Sequence, residues 1–413
     1  MKTKPELLAP AGDLEKLKVA FHYGADAVYI GGNALGMRAA AKNFSPDEMR
    51  EGIAHAHGLG KKVYITANIF AHNEDFDGMA DYFKSLQEMG ADALIISDLG
   101  VFSLAKAIVP DMELHISTQA NCTNYAAAAF WQGAGAKRVI LARELSLNEI
   151  FDIHKQVGDL HIEAFVHGAM CMAYSGRCLI SNYLHHRDAN GGACIQPCRW
   201  EYTLTEKKSN ETMHLYEAEK GAGTYLFNAR DLCMIEHIPE LLKAGIRSFK
   251  IEGRMKTSYY VAATVKTYRE AIDDYFANPL RYEKDLEYYA EALARLGNGQ
   301  FSTGFYFGKP TGDDHSYNGD SRAALQDFLA LVEERDPATG LYRVEQRNKF
   351  SVGDTIEIFR PNRSDHVQTV TDLFDHEGRR IESAPHPKQR VYVKLDTEVQ
   401  RFDILRKKVV TKS

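Results

Sequence analysis

Cysteine is the residue type whose placement in this chain most directly suggests chemistry. Four of the six cysteines, Cys171, Cys178, Cys194 and Cys198, fall inside one stretch, HGAMCMAYSGRCLISNYLHHRDANGGACIQPCRW at 167–200. Thiolates are soft ligands for zinc and for iron–sulfur clusters, and in a reducing compartment clustered cysteines point to metal or catalysis before disulfides. The spacing is C-x6-C-x15-C-x3-C, with Cys233 a further 35 residues on. Zinc would be satisfied by four thiolates, although its sites usually use tight C-x2–4-C knuckles. An iron–sulfur cluster needs the same four ligands, although this spacing is none of the ferredoxin patterns. On spacing alone both readings stay open. A third reading, thiols packed as small hydrophobes, suits poorly a stretch rich in Gly, Ser and Arg. Cys122, alone in QANCTNY, reads as such a packed thiol.

A second set of reactive side chains stands where apolar runs end: Asn68 after VYITA, Gln119 after HIST, Arg143 after VILA and His167 in EAFVH. In SFKIEGR, alternation places Lys250, Glu252 and Arg254 on one side and Phe249 and Ile251 on the other. Three charges on one face of an apolar strand are costly unless they serve a site or pair with one another. They read either as an anion-binding patch with a carboxylate for proton handling, or as an internal Lys–Glu–Arg ion network. His167 fits a general acid or base, and equally a histidine that orients the loop after it. The segment RCLISNYLHHRD mixes aromatic and basic residues. Tyr174, Tyr183, Arg187, Arg199 and Trp200 are candidates for stacking on bases and contacting phosphates, or for a structural shell around the thiols.

These residues must be positioned by a repeating unit. A helix-like stretch, a glycine and a short apolar run recur as HYGADAVYIGG, HGLGKKVYITANIF, EMGADALIISDLG, GAGAKRVILAREL and KAGIRSFKIEGR. The glycines, Gly24, Gly60, Gly90, Gly135 and Gly245, sit where helices would end in the left-handed conformation. The runs after them are rich in Val and Ile, as in strands buried on both faces. With ELLAPAG, MELHISTQA and HIEAFVHG added, strands begin near 6, 26, 62, 92, 112, 137, 160 and 247. Eight such units predict a (β/α)8 TIM-like barrel, with the cysteine-rich insertion 168–223 leaving the strand ends that carry active sites in such barrels. No G-x-G-x-x-G follows the first strand and no G-x-x-x-x-G-K-S/T occurs, so neither dinucleotide nor P-loop chemistry has its motif. TYLFNARDL, at 224–232, reads as an extra strand. Ser146 with Glu149 reads as a capping box.

The expected domains are a barrel over 1–277, a helical and loop connector over 278–325, and a small C-terminal β-barrel over 326–413, where short alternating strands replace the helical pattern. Residues 341–413 carry 15 Lys+Arg against 11 Asp+Glu, about +4, while the rest carries 35 against 45. A basic tail on an acidic body accommodates an anionic partner, or is a solvated surface. The composition excludes a disordered or collagenous chain. The N-terminal residues contain no apolar leader and no run approaches membrane-spanning length, which predicts a cytoplasmic protein with no membrane partner.

At this point the sequence resembles a known family. FVHGAMCMAYSGRCLIS, NGGACIQPCRWEY and NARDLCMIEHIPELLKAGIRSFKIEGRMK are similar to the signature of the collagenase-like peptidases, and ELLAPAG, GADAVYIGG and STGFYFGKP belong to the same pattern. The resemblance spans nearly the whole chain and is strongest toward the members that hydroxylate tRNA. It implies a 4Fe–4S cluster on Cys171, Cys178, Cys194 and Cys198, with Cys233 as the alternative fourth ligand. It further implies conversion of the wobble uridine to 5-hydroxyuridine, and prephenate as hydroxyl donor. Prephenate carries two carboxylates, which Arg143, Arg177 and Arg254 are suited to grip. Asn68, Gln119, Arg143, Arg177 and Lys250 are thus the expected substrate-binding residues, and His167, Glu252 and Arg254 the expected catalytic ones. The partners would be tRNA, a small anionic metabolite, and a paralogous or identical second subunit. Two other readings stand beside this one. A metal-dependent peptidase is suggested by the family name, yet the chain has no H-E-x-x-H or G-x-S-x-G, and Ser175 has no evident His–Asp partners by spacing. A non-catalytic RNA-binding module with a structural metal is the other.

Overall fold

The computed structural model describes residues 3–32, 43–190, 194–202, 227–297, 300–316, 326–361 and 364–409, with backbone also at 204–205 and 212–213. Its N-terminal part is built on β1 (Glu6–Pro10), β2 (Ala27–Gly31), β3 (Lys62–Ala67), β4 (Ala93–Ile96), β5 (Glu113–Ile116), β6 (Arg138–Ile140), β7 (His161–Gly168), β8 (Asp231–Cys233) and β9 (Ser248–Ile251). β1 to β7 follow one another in a parallel sheet, and β9 pairs in parallel with both β1 and β7, so eight strands close into a barrel. The strands form where the apolar runs lie, and their inner and outer faces are both buried, as a barrel wrapped by helices requires. All five helix-ending glycines have positive φ. At Gly245 the missing side chain also matters, because a Cβ there would come 2.3 Å from the His154 ring. The capping box at Ser146 and Glu149 is formed.

β8 is the extra strand. It begins at Asp231, near the end of the 224–232 stretch, of which residues 224–226 lie outside the described residues, and it runs antiparallel to β7, with Leu232 opposite Gly168 and Cys233 opposite His167. It therefore stands beside the closed barrel and does not interrupt it.

The barrel lumen is filled by charge as well as by hydrocarbon. Arg138 Nη1 meets Glu6 Oε1 at 2.5 Å and Glu163 Oε2 at 2.8 Å, and Lys250 Nζ meets Glu163 Oε1 at 2.9 Å. Tyr64 OH donates to Glu6 Oε2 and Ser248 Oγ to Glu6 Oε1. Two cations face two carboxylates, so the plug is neutral, which is the condition under which buried charge is tolerated. Burial alone would push the Glu6 carboxyl up, but Arg138, Tyr64 and Ser248 outweigh it and hold the group at about 2.

After the barrel come the long helix Ser258–Ala277 and the helices Pro279–Lys284 and Leu286–Ala294. The C-terminal part is a curled seven-stranded antiparallel sheet with its own apolar core, including Leu329, Val344, Ile356, Leu373 and Val391. Gln368, on one edge strand, reaches across to Lys394 O beyond the strand that neighbours the other edge, drawing the curled sheet toward a small barrel. Many of the arginines behind its positive charge are paired: Arg343 and Arg390 with Glu333, Arg347 with Glu15 and Glu345, and Arg406 with Glu357 and Asp365. Tyr23 OH donates to Phe359 O and Arg406 Nη1 to Tyr259 OH, binding this sheet to the barrel's helical layer. Among the described residues no helix is long and apolar enough to cross a membrane.

Candidate active site at the barrel mouth

The cysteine segment leaves β7 at the mouth of the barrel and is tied down at several points. Gly176 lies against Gln119. Its φ is +78°, and a Cβ would come 2.6 Å from Gln119 Nε2, so both backbone shape and space require glycine. Asn190 clamps Phe70 from both sides, accepting from its N–H at 2.9 Å and donating to its carbonyl at 3.2 Å. Arg177 lays its guanidinium 4.5 Å from the centre of the same Phe70 ring. Arg143 Nη1 donates to Ala169 O at 2.6 Å, holding the root of the segment, and its guanidinium covers Phe165 at 3.8 Å. Farther along, Arg199 Nη2 meets Asp231 Oδ1 of β8 at 2.9 Å.

These ties bring the four thiols into one neighbourhood. Burial pushes the Cys198 thiol up to about 11, and the charges of Cys171, Cys194 and Cys178 push in the same direction, so each lies within electrostatic reach of it. Among the described residues no three His, Cys, Asp or Glu side chains are drawn together closely enough to hold a metal ion. The donor set suits a four-thiolate centre in kind, while its side chains are not gathered into a metal site among the described residues. Gln196 N donates to Cys194 Sγ at 3.4 Å. Cys233 lies apart. Burial pushes its thiol up to about 12, it touches Tyr268 OH at 3.9 Å, and none of the four segment cysteines acts on it. Cys122 is buried, and burial pushes its thiol up to about 11.

Around the mouth the structure joins several of the expected residues. Asn68 Nδ2 donates to Gln119 Oε1 at 2.5 Å and to Ser117 Oγ at 3.1 Å, while Asn68 Oδ1 is buried without a partner. Arg254 is buried beyond the end of β9, with Nη1 3.4 Å from Thr66 Oγ1 and Nη2 3.3 Å from Asn43 Oδ1. Its guanidinium occupies the space a Gly31 side chain would take, since a Cβ there would stand 2.2 Å from Nη2. Glu252 Oε2 accepts from Tyr29 OH at 3.1 Å.

Two expected residues are not brought to the mouth. Lys250 belongs to the ion plug, and the network there uses Glu163, Arg138 and Glu6 in place of Glu252 and Arg254. Alternation does not carry to Glu252 and Arg254, because β9 ends at Ile251 and its register against β7 shifts between Lys250 and Ile251. His167 is 2% exposed and packs against Tyr260 and Tyr268 of the long helix and against Phe301, in the helical layer. Burial lowers its pKa to about 4, so the ring is neutral at physiological pH, and its Nδ1 has no partner. Sequence reasoning missed Asn190, Tyr29 and Asp231. Glu163 alone had a visible signal, a single carboxylate inside the apolar run HIEAFVHG.

A closed (β/α)8 barrel with a cysteine-bearing segment on its mouth and a β domain behind it defines the class. The family model described as peptidase family U32 matches residues 12–316, and that of the family's C-terminal domain matches 325–406. The chain belongs to peptidase family U32. It is 42% identical to tRNA hydroxylation protein P1 of Bacillus subtilis, covering 98% of this chain and 95% of that protein. It is 38% identical to tRNA hydroxylation protein P of Escherichia coli, over 96% and 95% of the two chains. A protein named collagenase from Porphyromonas gingivalis is 32% identical over 97% of each.

Proposed function

We propose that this protein hydroxylates C5 of the wobble uridine in tRNA, using an iron–sulfur cluster and a prephenate-like dianion as hydroxyl donor. The observation that carries the reaction is the near full-length likeness to two proteins named for tRNA hydroxylation. The site supports it. Cys171, Cys178, Cys194 and Cys198 are the residues that would hold a 4Fe–4S cluster, which when bound supplies one-electron chemistry or a Lewis-acidic iron. Cys198 is the fourth ligand in this reading, because it senses the other three thiols and Cys233 does not.

The chain's own residues have these roles. Arg254, its guanidinium set in the Gly31 recess, receives a donor carboxylate through paired hydrogen bonds. Asn68, oriented by Gln119 and Ser117, offers its unpartnered Oδ1 to a donor hydroxyl or to the base N–H. Glu252, steadied by Tyr29, holds or accepts a proton at Oε2. Tyr174, Tyr183 and Trp200, all exposed beside the thiols, stack on unpaired bases, and Arg187 contacts phosphate. Hydroxylation replaces the C5 hydrogen by a hydroxyl group, a two-electron oxidation of the base, so the donor leaves in reduced form.

Nucleoside analysis of tRNA from a strain lacking this protein and any paralogue tests the reading, with loss of 5-hydroxyuridine expected. Cys171→Ser should bleach an anaerobically purified brown protein near 400 nm and fail to restore the nucleoside, and unchanged 5-hydroxyuridine in the deletion strain would overturn the proposal. The collagenase-named relative favours a second reading, peptide hydrolysis. Gelatin cleavage by the wild type that survives Cys171→Ser would select it.

A further inference from the structure

A crevice of about 100 Å³ opens beside Cys171, which is the one residue of the site described above that lines it. Its walls are largely apolar, with Met170 and Met172 on the cysteine segment facing Phe305. Its polar groups are Arg230, Ser302, Asp314 and a histidine, His315. Asp314 is already engaged: Oδ1 accepts from Ser302 Oγ at 2.5 Å and Oδ2 from Thr311 N at 2.7 Å. Its charge offsets part of the arginine's, but its oxygens hold the loop. Arg230 differs. Its Nε is buried and has no hydrogen-bond partner. A buried cationic donor left unmatched costs free energy that an acceptor, best an anionic one, recovers.

We infer that this crevice binds the carboxylate end of a small organic acid, held by Arg230 beside Cys171. The volume decides the size. A crevice of this size holds several waters, room enough for a carboxylate with a short carbon chain. The methionine and phenylalanine walls suit the carbon end better than they suit a fully hydrated inorganic anion. The inference does not depend on the tRNA reading, since it concerns a pocket that is complete without RNA.

The test uses full-length protein freed of metal by a chelator. Cys171 and Cys178 are alkylated with iodoacetamide and followed separately by peptide mass, with chloride holding ionic strength constant. Acetate or pyruvate titrated through the millimolar range should slow alkylation of Cys171 saturably, about fivefold when the ligand reaches about four times its dissociation constant, and leave Cys178 unchanged. Arg230→Gln should remove the protection and Arg230→Lys should retain part of it. If acetate and pyruvate leave the wild-type Cys171 rate unchanged, or slow both cysteines alike, the site is refuted without any variant having to fold. Protection by inorganic phosphate but not by acetate would overturn the carboxylate assignment. Loss of the 5-hydroxyuridine reading would leave this result untouched.

Discussion

Arg254 and His167 show how one or two residues decide what a site can do. Both follow the apolar run of a barrel strand, yet one faces the mouth and the other the helical layer. Arg254 is the residue best placed to grip an anion, and its planar fork is not replaced by an ammonium group. Arg254→Lys should raise the KM for the small donor at least about tenfold, with a smaller effect on kcat, as measured by donor titration in a tRNA modification assay. His167 makes a different prediction. Its folded pKa, about 4, lies below the 6.5 of an unfolded histidine because burial disfavours the charged ring. Between those values the unfolded chain binds a proton that the folded chain does not, so stability falls as pH drops from about 6.5 toward 4. The total is on the order of 3 kcal/mol at 1.36 kcal/mol per pKa unit. His167→Phe should remove one proton from the pH dependence of urea unfolding over that window, and an unchanged slope would contradict the assignment of a neutral buried ring. Tyr260 and Tyr268, which enclose that ring, lie far along the chain from position 167, so its burial was not legible in the sequence.

At the scale of elements, strand positions were legible because local signals sufficed: starts read near 6, 26, 62, 92, 112, 137, 160 and 247 are found at 6, 27, 62, 93, 113, 138, 161 and 248. Each strand is a short, doubly buried run, and five of the eight are announced by a helix-ending glycine, so no long-range information was needed. The orientation of side chains beyond the strands was a different matter. Alternation places Lys250, Glu252 and Arg254 on one face, but the strand ends at Ile251 and its pairing slips there, and Lys250 joins the plug while Arg254 lies beyond the strand end. The seat of the cysteine segment was also invisible, because Asn190 and Phe70 meet across 120 residues of chain. That seat predicts the effect of Gly176→Ala. The alanine would have to hold a φ of +78° and press on Gln119. A cost of about 1–2 kcal/mol is expected from the backbone alone, read as faster proteolytic cleavage within 168–202 and lower iron content after reconstitution, with the barrel's circular dichroism unchanged.

For the molecule as a whole, the ion plug is the feature on which the barrel's integrity depends. Glu163 is fully buried between Arg138 and Lys250; burial raises its pKa, but the two cations outweigh it and keep the carboxyl below the usual range. Glu163→Gln leaves those cations one anion short and should destabilise the protein by about 3–5 kcal/mol in urea denaturation. Adding Lys250→Met should recover part of that loss, a non-additivity that a purely local packing defect would not show.

The plug has one more consequence. Because one end of the barrel is stoppered by Glu6, Arg138, Glu163 and Lys250, the strand ends are approached from the mouth side. In the proposed reaction, a small donor held at Arg254 would enter before tRNA covers the mouth and leave after the tRNA lifts away. In that reading, the floor of the barrel would set the order in which the two reactants come and go.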